Sequence, residues 1–440
     1  MKKGLAFIVV LVLALLCVIS WKSLLDRKKA DTKAYMEYVY AGDENLAKGA
    51  DKYALVEYEK AANIDYSDVE LAKKIAQAAY NMGSKYEKQY VDACKKIISL
   101  SKDDLGYVML ARFYLENDML KKAFDTVNDG MKNCKEIGEL AELYDFCMYN
   151  TSDRLMQSSA ISSFYERDGK TYYSVTKKSG TGIYSKHGEC IIDCKYEYLG
   201  AYDDKTGSIP CKKDGELYYI DLQGYIKYVP DIKYDYLGSF SDGIAPVSIN
   251  GNFGYIDIKM DEQMTGYTYA GAFSNGVAAV KKGDKWGLIN TKFETITGFI
   301  YDEILCDDYG FCSSYNVIVA KKDKKAVCLD IDGEQLFNDA FDDARLAASN
   351  DGMIAVMKAG KWGFVNRDGD VTIDFKFEDA ESFSIGLAPV KINGMWGYIN
   401  EKGELKIPAE FLEASTFNSE GAAKMKKVQS WDLIILNRFK

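Results

Sequence analysis

Few residues in this 440-residue chain have the types and spacing for chemistry. His187, Cys190, Cys194 and Cys211 supply one histidine and three cysteines, the donor set of a tetrahedral zinc site, and His187 is the sole histidine. Their register argues against a metal. Cys190 takes a repeat position held elsewhere by Val371 and Leu405, and Cys211 takes one held by valines, so both are expected as small buried hydrophobes. The DIDGE stretch at 330–334 and NRDGD at 366–370 are akin to calcium loops but lack the closing glutamate, and hairpin turns explain them better. The pairs Asp203–Asp204, Asp307–Asp308 and Asp342–Asp343 are expected as solvated loop residues.

A single histidine leaves no room for triads or imidazole acid–base pairs, and the chain has no phosphate loop, dinucleotide fingerprint or nucleophile elbow. What remains open is carboxylate chemistry, such as glycoside hydrolysis by two acids about 5–10 Å apart. No catalytic, cofactor-binding or metal-ligating residue is assigned, and no cofactor is expected. The net charge of −10 argues against a nucleic-acid partner. Ten cysteines follow no disulfide framework and are expected as free thiols.

Three segments must position whatever the chain binds. In residues 1–30, two lysines precede an uncharged apolar run from Leu5 to Trp21, just long enough to span a bilayer. No small-x-small cleavage site follows, and Leu16 stands where a lipobox before Cys17 wants a small residue. An uncleaved transmembrane helix is expected, giving a single-pass cell-membrane protein whose bulk lies outside the cytoplasm.

Residues 31–150 lack proline and carry apolar residues at helical spacing. Ala54, Tyr58 and Ala61 in one stretch answer Ala123, Val127 and Gly130 in another, 69 residues on. Small residues at this period resemble tetratricopeptide repeats, with an insertion needed in the middle unit. The plainer alternative is a helical bundle.

From 151 to 440 a phrase recurs. With its aromatic as position zero, the series runs Thr181, Leu217, Phe253, Trp286, Ala326, Trp362, Trp396, Trp431, at spacings of 36, 36, 33, 40, 36, 34 and 35. Six residues before zero stand Val247, Val280, Val356 and Val390, and three after it Ile220, Ile256, Ile289, Leu329, Val365 and Ile399, the expected inward positions. At plus four comes Asp or Asn, and at plus seven Gly in five of eight units, which suits a tight turn. Each unit should hold about four short strands, and the recurring tryptophans are expected to be structural, with an aromatic binding ladder as the lesser alternative.

The stretch FSIGLAPVKINGMWGYINEKGELKIPAEF (383–411) resembles the WG repeat of bacterial proteins. That resemblance implies no particular reaction. The expected fold is therefore α + β multidomain: a transmembrane helix, a tetratricopeptide-like helical domain, and an all-β domain of eight WG units closing into a propeller-like ring, or else an open β-solenoid. The function expected is a membrane-anchored, non-enzymatic scaffold of the bacterial cell envelope that binds protein or peptide partners. The alternative is a carbohydrate-active protein that binds or hydrolyses envelope glycan.

Overall fold

The computed structural model describes residues 28–439 apart from 102, 168–169 and 351, with side chains at all of these except 163–170, 264 and 265. The chain divides into two compact units, up to Met148 and from Tyr149 onward.

The first unit is helical. Helical backbone over 28–47 is followed by Asp51–Ile64, Val69–Asn81, Glu87–Leu100, Leu105–Glu116, Leu120–Asn133 and Gly138–Tyr149. Small residues set the packing distance: Ala54, Ala61, Ala72, Ala76, Ala93, Ala111 and Ala123 are fully buried. At Gly130 an added Cβ would come within 2.6 Å of Leu140 and 2.9 Å of Tyr107. After the third helix Gly83 at φ 72° leads into a single 3-10 turn, Ser84–Tyr86.

No helix among the described residues is long and apolar enough to cross a membrane. The transmembrane element of the expected fold and the single-pass membrane placement are corrected on that finding. The helical backbone over 28–47 carries Lys28, Lys29, Asp31, Lys33, Glu37, Asp43 and Glu44, a charge load hydrocarbon does not accept. The apolar run Leu5–Trp21 lies outside the described residues.

The second unit is an eight-bladed β-propeller, each blade a four-stranded sheet. The zero positions fall on or beside the third strand of each blade, and the expected inward residues are buried between blades: Val280, Val356, Val390, Ile220, Ile256 and Val365 are 0% exposed. The ring is closed. Thr151–Ser158, the first strand of the unit, pairs with Trp431–Leu436 as the outer strand of the last blade, which rules out the open solenoid. Met156, Ile161, Tyr173 and Val175 then share one core with Ala422, Leu433 and Ile435.

The glycine after each tryptophan answers to the outer strand. Trp396 pairs with Phe411 and Tyr398 with Ile407, so two steps of the third strand face four of the outer one. The surplus residues bulge against Gly397, where a Cβ would lie 2.7 Å from the Ile407 carbonyl and 2.8 Å from Ala409 Cα. Gly363 and Gly287 meet Ile373 and Thr297 in the same way. In the last blade the outer strand comes from the far end of the unit, and Asp432 replaces the glycine. Its carboxylate accepts from Met156 N at 2.6 Å and Gln157 N at 2.9 Å, satisfying the bulge of the incoming strand. Blade faces are tied further by tyrosines two residues past zero: Tyr219, Tyr255 and Tyr398 each donate to a carbonyl of the next blade, those of Gly238, Gly271 and Ser415, at 2.9 Å.

Two outcomes follow for stability. Trp396→Ala, at a site 8% exposed, is expected to cost about 3–5 kcal/mol in chemical denaturation, and Gly397→Ala about 1–3 kcal/mol; a change below ~0.5 kcal/mol in either would contradict this packing. Asp432→Ala strips two backbone donors of their acceptor and is expected to cost about 2–3 kcal/mol, with limited proteolysis cutting first near Thr151–Ser158. Cleavage elsewhere in the ring at unchanged stability would show that the carboxylate is not the latch.

Candidate functional site: a plugged channel

The zinc set is not assembled. Among the described residues no group of three or more His, Cys, Asp or Glu side chains could hold a metal. His187 is exposed on a turn, Cys194 Sγ faces the Val175 carbonyl at 3.5 Å, and Cys211 is buried, its thiol pushed up to about 12 by desolvation. Cys190 corrects the expectation of burial: its slot lies on the solvent side of an outer strand, where Val371 and Leu405 are about half exposed too. The calcium-like loops are hairpin turns. Asp330 Oδ1 accepts from Asp332 N and Glu334 N, Asn366 Oδ1 from Asp368 N and Asp370 N, and Gly333 and Gly369 take φ 81° and 88°.

Asp307 and Asp308 are exposed loop residues, as expected, but their loop has a place the sequence did not indicate. They lie in the loop that stretches one repeat to 40 residues, between the inner and second strands of the fifth blade. Asp308 Oδ2 accepts from Ser162 Oγ at 2.9 Å and stands 4.0 Å from Lys424 Nζ. Ser162 belongs to the inner strand of the first blade, diametrically opposite, so this contact is possible only across the axis of the ring. The loop is a plug in the central channel. Asp307 Oδ1 organises it by accepting from Tyr309 N at 2.9 Å and Phe311 N at 3.0 Å, with Gly310 at φ 88°. Its seat is Gly271 of the adjoining fourth blade, where a Cβ would stand 2.6 Å from the Gly310 carbonyl.

Around one mouth of the channel the first residues of the inner strands fall into two arcs. Blades two to four present Tyr198, Tyr236 and Tyr269; blades five to eight present Glu303, Asp343, Asp379 and Glu413. The aromatic arc is continuous through position zero: Tyr236 to Phe253 is 5.9 Å between centroids, Phe253 to Tyr269 5.6 Å, and Tyr269 to Trp286 4.8 Å. The ionic arc is paired internally. Lys321 bridges Glu303 (3.3 Å) and Asp343 (3.2 Å), and Lys426 meets Glu413 at 3.1 Å. Arg345 meets Asp379 at 2.8 Å and Glu381 at 3.4 Å while covering the Trp362 ring at 4.4 Å.

Asp307 and Glu381 reach solvent, yet desolvation by the walls around them raises both carboxyls above the usual range, with Arg345 opposing the rise at Glu381. Solvent access together with desolvation places both carboxyls on a concave surface. Desolvation also raises the Tyr198, Tyr236 and Tyr269 hydroxyls, so they stay neutral donors and acceptors. None of these groups was singled out as a site from the sequence. The one signal was the long fourth spacing, of 40 residues, which marks an insertion without telling where it folds.

The comparison with curated proteins gives no match. Among solved structures the chain is similar to a crystal structure of the eukaryotic initiation factor (12% identity, 60% of this chain and 80% of that chain, TM-score 0.40). It is similar also to Kluyvelomyces marxianus Hsv2 (11%, 62% and 89%, TM-score 0.35) and to the AfRom2 CNH domain (8%, 65% and 98%, TM-score 0.35). Overlaps this loose carry no argument, and the propeller assignment rests on the strand pairing. The family model for the WG containing repeat matches residues 227–253, 265–286, 286–325, 362–396 and 396–428, which places WG-type repeats across the C-terminal region.

Proposed function

We propose that this is a non-enzymatic binding or scaffold protein whose propeller receives a protein or peptide partner at the tyrosine and carboxylate mouth of the channel. The observation that supports this reading is the division of one ring position into two chemically distinct arcs, in a domain otherwise built from near-identical units. Packing alone does not call for such a division, because the buried positions on either side of it are uniformly small or aliphatic: Leu199, Leu237, Ala270, Ile304, Ala344, Ala380 and Ala414. Repeat folds commonly serve as interaction surfaces, but fold alone does not assign function, so the reading rests on the arcs.

A second reading has one observation in its favour. Asp307 and Glu381, both with raised carboxyls, share a channel with aromatic rings, as a glycan-binding or glycan-hydrolysing site would require.

A photoreactive residue at Glu303 is expected to give a covalent adduct with a polypeptide in cells, and one at the exposed Val229 on an outer edge is not. Adducts from both positions, or from Val229 alone, would overturn the mouth as the binding face. Turnover of envelope oligosaccharides that is lost in Glu381→Gln would replace the binding reading with the enzymatic one.

A further inference from the structure

We propose that the tyrosine half of the channel mouth, floored by the plug, is a cup for an ammonium group, the end of a lysine side chain presented by the partner. This rests on the binding-protein reading and names the chemistry of what is bound. Three independent features converge on it.

The first is the wall. Tyr198, Tyr236 and Tyr269 are half-buried and held in one arc, and the Tyr198 and Tyr236 hydroxyls lie against each other. Aromatic rings and phenolic oxygens offer partial negative charge, which attracts a cation most strongly where water is scarce. The arc already holds an ammonium at its end, Lys281 Nζ, 5.9 Å from the Trp286 centroid.

The second is the floor. Asp307 spends one carboxylate oxygen on the backbone of its own loop, and among the described residues no lysine or arginine stands within ion-pair distance of it. Acids of the other arc have such a partner: Glu303 and Asp343 share Lys321, Asp379 has Arg345 and Glu413 has Lys426. A carboxylate set among protein walls without a counter-ion is the complement of an incoming cation.

The third is a buried phenol beneath the arc. Tyr309, 6% exposed at the tip of the plug, has its hydroxyl beside those of Ser162 and Ser174 and close enough to Tyr198 to raise its ionisation. A phenolic oxygen that stays neutral adds partial negative charge under the tyrosines. A sugar would also stack on the rings, but it gains little from an unpaired carboxylate. A cation gains from all three features.

The full chain is to be titrated, following tryptophan fluorescence, with three versions of one short peptide carrying a single central lysine, acetyl-lysine or trimethyl-lysine, and with a set of neutral oligosaccharides. Saturable binding of the lysine or trimethyl-lysine peptide is expected, at least tenfold weaker for acetyl-lysine. Asp307→Asn, which keeps the size of the side chain, should weaken it at least tenfold and Tyr236→Ala similarly, with unchanged melting temperature as the check on folding. Equal binding of the acetylated peptide, oligosaccharide binding indifferent to Asp307→Asn, or no binding of any ammonium probe would overturn the cup. If the Glu303 adduct still forms in cells while the ammonium probes fail, the cup is wrong and the binding-protein reading stands; if that adduct is absent too, both fall.

Discussion

Closure of the ring by Thr151–Ser158 is the constraint on which the rest of the second unit depends. A WG-type unit buries one apolar face against each neighbour, so seven blades in an open row would leave two faces bare. The strand that precedes all of them in sequence completes the eighth sheet, and the two ends share one core. Everything at the axis follows from that geometry. Only in a closed ring can Asp308 of the fifth blade reach Ser162 of the first, and only there do Tyr198 and Glu413 belong to the same rim.

Much of a blade was legible because its determinants are local. The buried valines and isoleucines mark the period of the strands, and the Asp or Asn with its following Gly marks a turn whose hydrogen bonds span four residues. The aromatic at zero was legible as structural at Trp362 and Trp396, which are buried; Trp286 and Trp431 are only half so, and Trp286 belongs to the aromatic arc. The glycine that follows the ring has its reason in the outer strand, whose bulge approaches it too closely for a side chain.

What stayed hidden is non-local. Asp432 in place of glycine reads as decay of the repeat, and becomes a latch only beside a strand some 275 residues away. Asp307 and Asp308 read as a solvated pair because charge and loop position say so; which way a loop folds depends on whether the neighbouring blade has room, here the bare Cα of Gly271. The membrane expectation failed for a different reason. It rested on a run outside the described residues, and no described helix is long and apolar enough to cross a membrane.

The topology of the closing strand also imposes an order on assembly. Thr151–Ser158 emerges from the ribosome before any blade exists, while its partner, Trp431–Leu436, is the last strand of the propeller to be made. For the whole of that interval the strand has an unpaired edge, a sticky template for any other chain nearby, and its native contact has to close a loop that spans the whole propeller. The early blades can stack as they appear, but the propeller becomes one cooperative object only once Trp431–Leu436 has been made, so the growing ring is at its most vulnerable just before that strand is added.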